Sequence, residues 1–219
     1  MASDRPVGAG TVAIVADLAA RYTVFSVSLQ RLVTPPETVV MWHLGSDVAA
    51  NRNRACEQLS GEWVWFIDDD HAFHPDILSR LLVRDVPIVQ PLCLRRGGNF
   101  LPVACKDDDH LNLADFAPDE LVEVQHCGSS GMLVRREVID AIEPPWFELR
   151  NGISEDVVFC EKARAAGFSI HVDLAARLGH VTTAVVWPTF RDEGWMTGFQ
   201  FADGFEVAAD ITAAYAEGT

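Results

Sequence analysis

Apolar residues in this chain gather into short blocks separated by polar stretches, and the spacing within each block predicts its structure. Thr11 to Ala16 and Thr38 to Trp42 are unbroken, β-branched runs of strand length, so each reads as a buried strand. Val48, Ala55, Cys56 and Leu59 recur at helical spacing; Ser46 or Asp47 can cap that helix, and Gly61 can close it. Trp63 to Ile67 is the next strand, and Asp68, Asp69 and Asp70 follow it without a spacer. Pro75 suits the first turn of a helix whose buried stripe is Ile77, Leu78, Leu81 and Leu82.

Pro87 to Cys93 reads as a strand, and Arg95 to Asp119 as a long polar connection with at most short elements. Leu121 to Gln125 and Met132 to Val134 are strand candidates on either side of a Gly128-Ser129-Ser130-Gly131 turn. Ser154 can cap a helix running to about Ala166, with Gly167 at its end and Phe168 to Val172 as a last strand. Strands alternating with helices imply an α/β fold, a mostly parallel sheet flanked by helices on both faces. In such sheets ligands bind beyond the carboxyl ends of the strands, which directs attention to the residues after Ile67.

At 219 residues the chain suits one α/β domain, residues 1–184, with an appendage over 185–219. Trp187, Phe190, Trp195, Phe199, Phe201 and Phe205 make that appendage rich in aromatics, which suits a lid or packing against the domain or a second subunit. The net charge of −15 argues against broad attraction to nucleic-acid backbones or anionic lipid. No apolar run is long enough to span a bilayer and Met1 to Gly10 lacks the order of a signal peptide, so a cytoplasmic protein without a membrane partner is expected. Cys56, Cys93, Cys105, Cys127 and Cys160 are scattered, form no C-x-x-C pair and read as reduced, buried thiols.

Three carboxylates at a strand's end repel one another and need a cation, a donor network or open solvent to stay ionised. Mg²⁺ or Mn²⁺ with oxygen ligands meets that demand and would also clamp a diphosphate. An acidic turn capping the helix after His74 is the alternative. Asp107-Asp108-Asp109 has the same composition but lies in a polar stretch, where a solvated loop is expected.

The segment from Trp63 to Asp70 resembles the D-x-D signature of GT-A glycosyltransferases, in particular compact, stand-alone, family-2-like members from bacteria and bacteriophages. The resemblance implies that Asp68, with Asp69 between, lies near the nucleoside and that Asp70 binds a Mn²⁺ or Mg²⁺ ion bridging the donor phosphates. It implies a nucleotide contact for Arg52 and Asn53, and a glycine-rich turn from Gly128 through Gly131 closing the donor sugar pocket. Gly152-Ile153-Ser154-Glu155-Asp156 resembles the x-E-D motif of inverting enzymes, which makes Asp156 the expected base and Glu155 an acceptor contact. His180, after Gly179, falls where the family supplies a metal-binding histidine.

Each position also has a plainer reading. Asn51 to Arg54 suits a solvated helix face, the glycines suit a tight turn, and acids in a helix's first turn suit its dipole. The resemblance implies transfer from a nucleoside-diphosphate sugar, with UDP the expected nucleotide, to a glycan, protein, small molecule or hydroxymethylated DNA base. A nucleotidyltransferase would need a glycine-rich phosphate loop after the first strand, and Asp17 to Tyr22 contains no glycine. A metal-dependent hydrolase and a non-catalytic sugar-nucleotide-binding module remain as alternatives.

Overall fold

The computed structural model describes residues 7–17, 22–96, 100–107, 109–191, 194–201, 204 and 206–210. Two compact units are present: Met1–Leu94 with Pro102–His180, and Arg95–Leu101 with Val181–Thr219.

In the larger unit the chain runs β1 (Thr11–Ala16), α1 (Thr23–Arg31), β2 (Val39–Leu44), α2 (Val48–Glu57), β3 (Trp63–Asp68) and β4 (His71–Phe73). It continues with α3 (Ile77–Leu82), β5 (Ile88–Cys93), the paired β6 (Cys105–Lys106) and β7 (Asp109–His110), β8 (Leu121–Val124) and β9 (Leu133–Arg135). Then follow α4 (Arg136–Ala141), α5 (Glu155–Ala165) and β10 (Ile170–His180). The main sheet has the order β2-β1-β3-β9-β5-β10-β4, with β8 also on β10. β2, β1, β3, β5 and β10 point one way; β9, β8 and β4 oppose them. The sheet is mixed, with the mostly parallel character the sequence predicts.

Central strands read as continuous apolar runs because both faces are covered. Along β3, Val64 and Phe66 enter one core cluster with Ala55 of α2 and Phe159 of α5. Trp63, Trp65 and Ile67 enter the other with Phe25 of α1 and Ile77, Leu78, Leu81 and Leu82 of α3. Asp47 caps α2 by accepting from the Ala50 N–H at 2.9 Å. α2 stops at Glu57, so Gly61 does not close it; Gly61 (φ +88°) instead turns the chain into β3, where a Cβ would lie 2.2 Å from the Ala9 carbonyl oxygen. Gly167 (φ +92°) does end α5, with its N–H on Arg164 and that of Phe168 on Ala163, a Schellman arrangement.

β10 is longer than the sequence indicates. Its first half pairs with β8 and its last three residues pair with β4, while β5 runs along its other side. Between Asp173 and Arg177 the register with β5 breaks in a bulge. Asp173 is 1% exposed there, and the Arg84 guanidinium holds both its oxygens at 2.6 and 2.8 Å.

In the smaller unit β11 (Ala184–Arg191), β12 (Gly194–Phe201) and β13 (Glu206–Asp210) form an antiparallel meander. Within it the Trp187 indole N–H donates to Gln200 at 3.0 Å, and Phe201 meets Phe100 edge-on at 4.8 Å. Phe205 and residues 211–219 lie outside the described residues.

Gly131 tests the packing beneath the sheet's carboxyl edge. Its φ is +81°, and a Cβ would lie 2.7 Å from Leu178 and 2.9 Å from Pro91. Gly131→Ala combines left-handed strain with overpacking and is expected to cost about 2–4 kcal/mol, read as a lower denaturant midpoint at unchanged slope.

Candidate active site

Parallel strands deliver their last residues to one edge of the sheet, and the chemistry of this chain collects there. Asp68 ends β3, Cys93 ends β5 and His180 ends β10. Asp69 and Asp70 form the turn into β4, whose antiparallel pairing with β10 sets His71 opposite His180. The two imidazoles stack with centroids 4.5 Å apart and planes 18° from parallel.

Arg52 of α2 links the two acidic motifs. One terminal nitrogen lies 3.0 Å from each oxygen of Asp68, and the other lies 2.5 Å from Glu155 at the start of α5. The arginine side chain is 4% exposed, against 27% for Asp68 and 14% for Glu155. A guanidinium suits this role because its planar fork can donate in two directions at once. Asp68 is fixed from behind as well, since its N–H donates to the Ser130 hydroxyl at 3.0 Å.

Asp70 lies between the histidines. Its oxygens are 2.8 Å from His71 Nδ1 and 3.3 Å from His180 Nε2. Burial raises its pKa, but hydrogen bonds and charge from His180 and His71 outweigh that and hold it well below the usual carboxylate range. Asp70 is therefore an anion at any physiological pH. On the far side of His71, Cys93 Sγ lies 3.8 Å from Nε2. Burial, followed by the charges of Asp70 and Asp68, pushes that thiol up to about 12.

Other residues singled out in the sequence stand differently. Asn53 donates to the Phe147 carbonyl at 2.8 Å and accepts from the Phe147 N–H at 3.0 Å, so both ends of its amide serve the segment before α5. Gly131 donates its N–H to Phe66 and accepts the Trp65 indole N–H at 2.8 Å, which makes it a support beneath Asp68. Asp156 accepts from the Ser154 hydroxyl and from the Val157 N–H at 2.8 Å. Ser154 precedes α5 as expected, but its side chain makes no backbone cap. Asp107 and Asp109 are exposed beside the β6–β7 turn, and Asp108 lies outside the described residues.

His71 and Cys93 join the site without a role there having been expected from the sequence, whereas Ser130 belongs to the turn expected to close the donor sugar pocket. His71 follows the aspartates directly, and a fourth polar residue there was the one signal available. Cys93 reads as an apolar strand residue, and its place is set by β5–β10 pairing. A divalent cation suits the donors: two ligands about 2.0–2.2 Å from one ion lie roughly 3 Å apart, close to the spacing of Asp70 and His180. No helix among the described residues is long and apolar enough to cross a membrane.

The family described as "Glycosyltransferase like family 2" matches residues 8–196. Among solved structures, A197 from STIV aligns with a TM-score of 0.56 at 15% identity, covering 91% of this chain and 94% of that one. GalNAc-T7 with UDP, GalNAc and Mn²⁺ aligns with a TM-score of 0.56 at 11% identity, covering 78% of this chain and 43% of that one. The present chain thus spans less than half of that neighbour. No protein of curated function matches it in sequence.

Arg52 gives a sharp test of the site's architecture. Arg52→Met leaves two carboxylates without their shared cation and is expected to cost about 3 kcal/mol, the low end for a broken buried ion cluster because Asp68 is partly exposed. Arg52→Lys should recover little, since an ammonium cannot fork between Asp68 and Glu155. Equilibrium unfolding of both variants measures the difference.

Proposed function

The chain belongs to glycosyltransferase-like family 2 and is a glycosyltransferase of GT-A fold, and from that premise we propose that it moves a sugar from a nucleoside-diphosphate donor to a hydroxyl acceptor with inversion. The observation that carries this reading is the Arg52 guanidinium, which has Asp68 on one side and Glu155 on the other. Donor-side acid and base-bearing helix are thereby tied to one side chain at the edge where α/β sheets bind ligands.

Asp68 faces the nucleoside and orients it by accepting from its hydroxyls. Asp70 and His180 hold a divalent cation. When bound, that ion offsets the charge that grows on the departing diphosphate. GalNAc-T7, a neighbour in fold alone, was solved with UDP and Mn²⁺, which supports a UDP-sugar and a divalent ion here.

Asp156 takes the acceptor's proton as that oxygen attacks the anomeric carbon on the face opposite the diphosphate. Its carboxylate is held in the first turn of α5 by the Val157 N–H. Its closeness to the acceptor supplies much of the rate. Glu155, steadied by Arg52, contacts the acceptor beside it.

Two substitutions separate these roles. Asp70→Asn should weaken metal-dependent donor binding and lower turnover by about 10²-fold or more with the fold unchanged; metal titration and steady-state kinetics that match the parent protein would remove the assignment. Asp156→Asn should lower kcat by about 10²- to 10⁴-fold at nearly constant donor affinity. NMR of the product's anomeric centre reads the stereochemistry directly, and retention of the donor's configuration rules out Asp156 as the base of a single displacement.

A further inference from the structure

We propose that one face of the β11–β13 meander is a sugar-binding site in which a neutral pyranose ring lies against the Trp187 indole, with Gln200 and Glu206 at its edge. Every residue of the candidate active site belongs to the larger unit, so this is a second site. Sugar binding there needs nothing from the transferase reading. Its functional consequence, that the acceptor is a glycan, rests on that reading and narrows the acceptor class.

Strand register builds the site. Trp187 of β11 stands opposite Gly198 of β12, which stands opposite Ala208 of β13, and the next row on the same face is Val185, Gln200 and Glu206. Neither strand beside the indole puts more than a methyl group in its row. The space left is a cavity of about 270 Å³ whose lining residues all belong to the meander. That is just below the roughly 300 Å³ at which ligand pockets begin, so it suits one ring rather than a chain.

Trp187 is 51% exposed, yet its ring is held, because the indole N–H donates to Gln200 Oε1 at 3.0 Å and the Gln200 amide nitrogen donates to Glu206 Oε1 at 3.3 Å. With its one donor committed, the indole offers a ligand only its apolar face. A pyranose matches both parts of this surface. Its axial C–H groups form an apolar face of ring size, and the hydroxyls around its rim donate to a carboxylate, which has about four acceptor positions. A wholly apolar ligand fits poorly, since Gln200 and Glu206 would lose water without gaining a partner. A nucleobase also stacks on indoles, but its phosphates would meet Glu206 and a chain of net charge −15. A neutral sugar meets neither penalty.

Saturation-transfer NMR tests the site with the methyl glycosides of glucose, galactose, mannose and N-acetylglucosamine as probes. At least one should receive saturation from the folded protein. Titration should show its affinity reduced about 10-fold or more in Trp187→Ala and about 3- to 10-fold in Glu206→Gln. Circular dichroism and the melting temperature establish that the variants fold, and Glu206→Gln, an exposed and nearly isosteric change, carries the test if the tryptophan variant does not. No saturation transfer to any glycoside in the folded parent protein, or unchanged affinity in the folded variants, overturns the proposal. Preference for oligothymidylate over every glycoside overturns it as well. Trp187-dependent glycoside binding by a protein that binds no UDP with Mn²⁺ or Mg²⁺ upholds the sugar site and removes the transferase reading.

Discussion

A guanidinium taken almost wholly out of water must be neutralised where it lies, and Arg52 meets that requirement with carboxylates from two distant parts of the chain. Asp68 arrives at the end of β3 and Glu155 at the start of α5, so one buried cation dictates how α2, the central strand and the last helix meet. Compensation is incomplete, because Nε has no hydrogen-bond partner among the described residues. Such clusters often add little to net stability relative to apolar packing. What this one supplies is geometry: the two acidic motifs cannot drift apart without exposing or stranding a charge.

Much of this arrangement was legible in the sequence. The run from Trp63 to Ile67 announced a doubly buried strand, and three aspartates directly after it marked the sheet's carboxyl edge. The helical stripe of α3 and the Gly167 terminus of α5 were equally plain. Helix α1 was not: Thr23, Val24 and Val27 are β-branched, only Phe25 and Ser28 are buried, and the run lacks a strong apolar face. The crossover between parallel β1 and β2 imposes a helix that local preference alone does not announce.

The site's omissions have a different origin. His71 and Cys93 become neighbours because β4 and β5 flank the end of β10, and strand order is a long-range property that periodicity does not encode. At Asn53 the structure adds a bond that the sequence does not announce, because its amide closes a two-way pairing with the backbone of Phe147, 94 residues away.

The bulge in β10 has a consequence for evolution of this chain. Strand side chains alternate between faces, so the direction in which His180 points is set by the pairs that its end of β10 makes with β4 and β5. Asp173, clamped by Arg84, anchors the start of the bulge. A change of length between Asp173 and Arg177 falls where the register is already broken and can be absorbed there. A single-residue deletion after Arg177 has no such slack and would turn the terminal imidazole to the opposite face of the sheet, so tolerance of insertions and deletions should change abruptly at the end of the bulge.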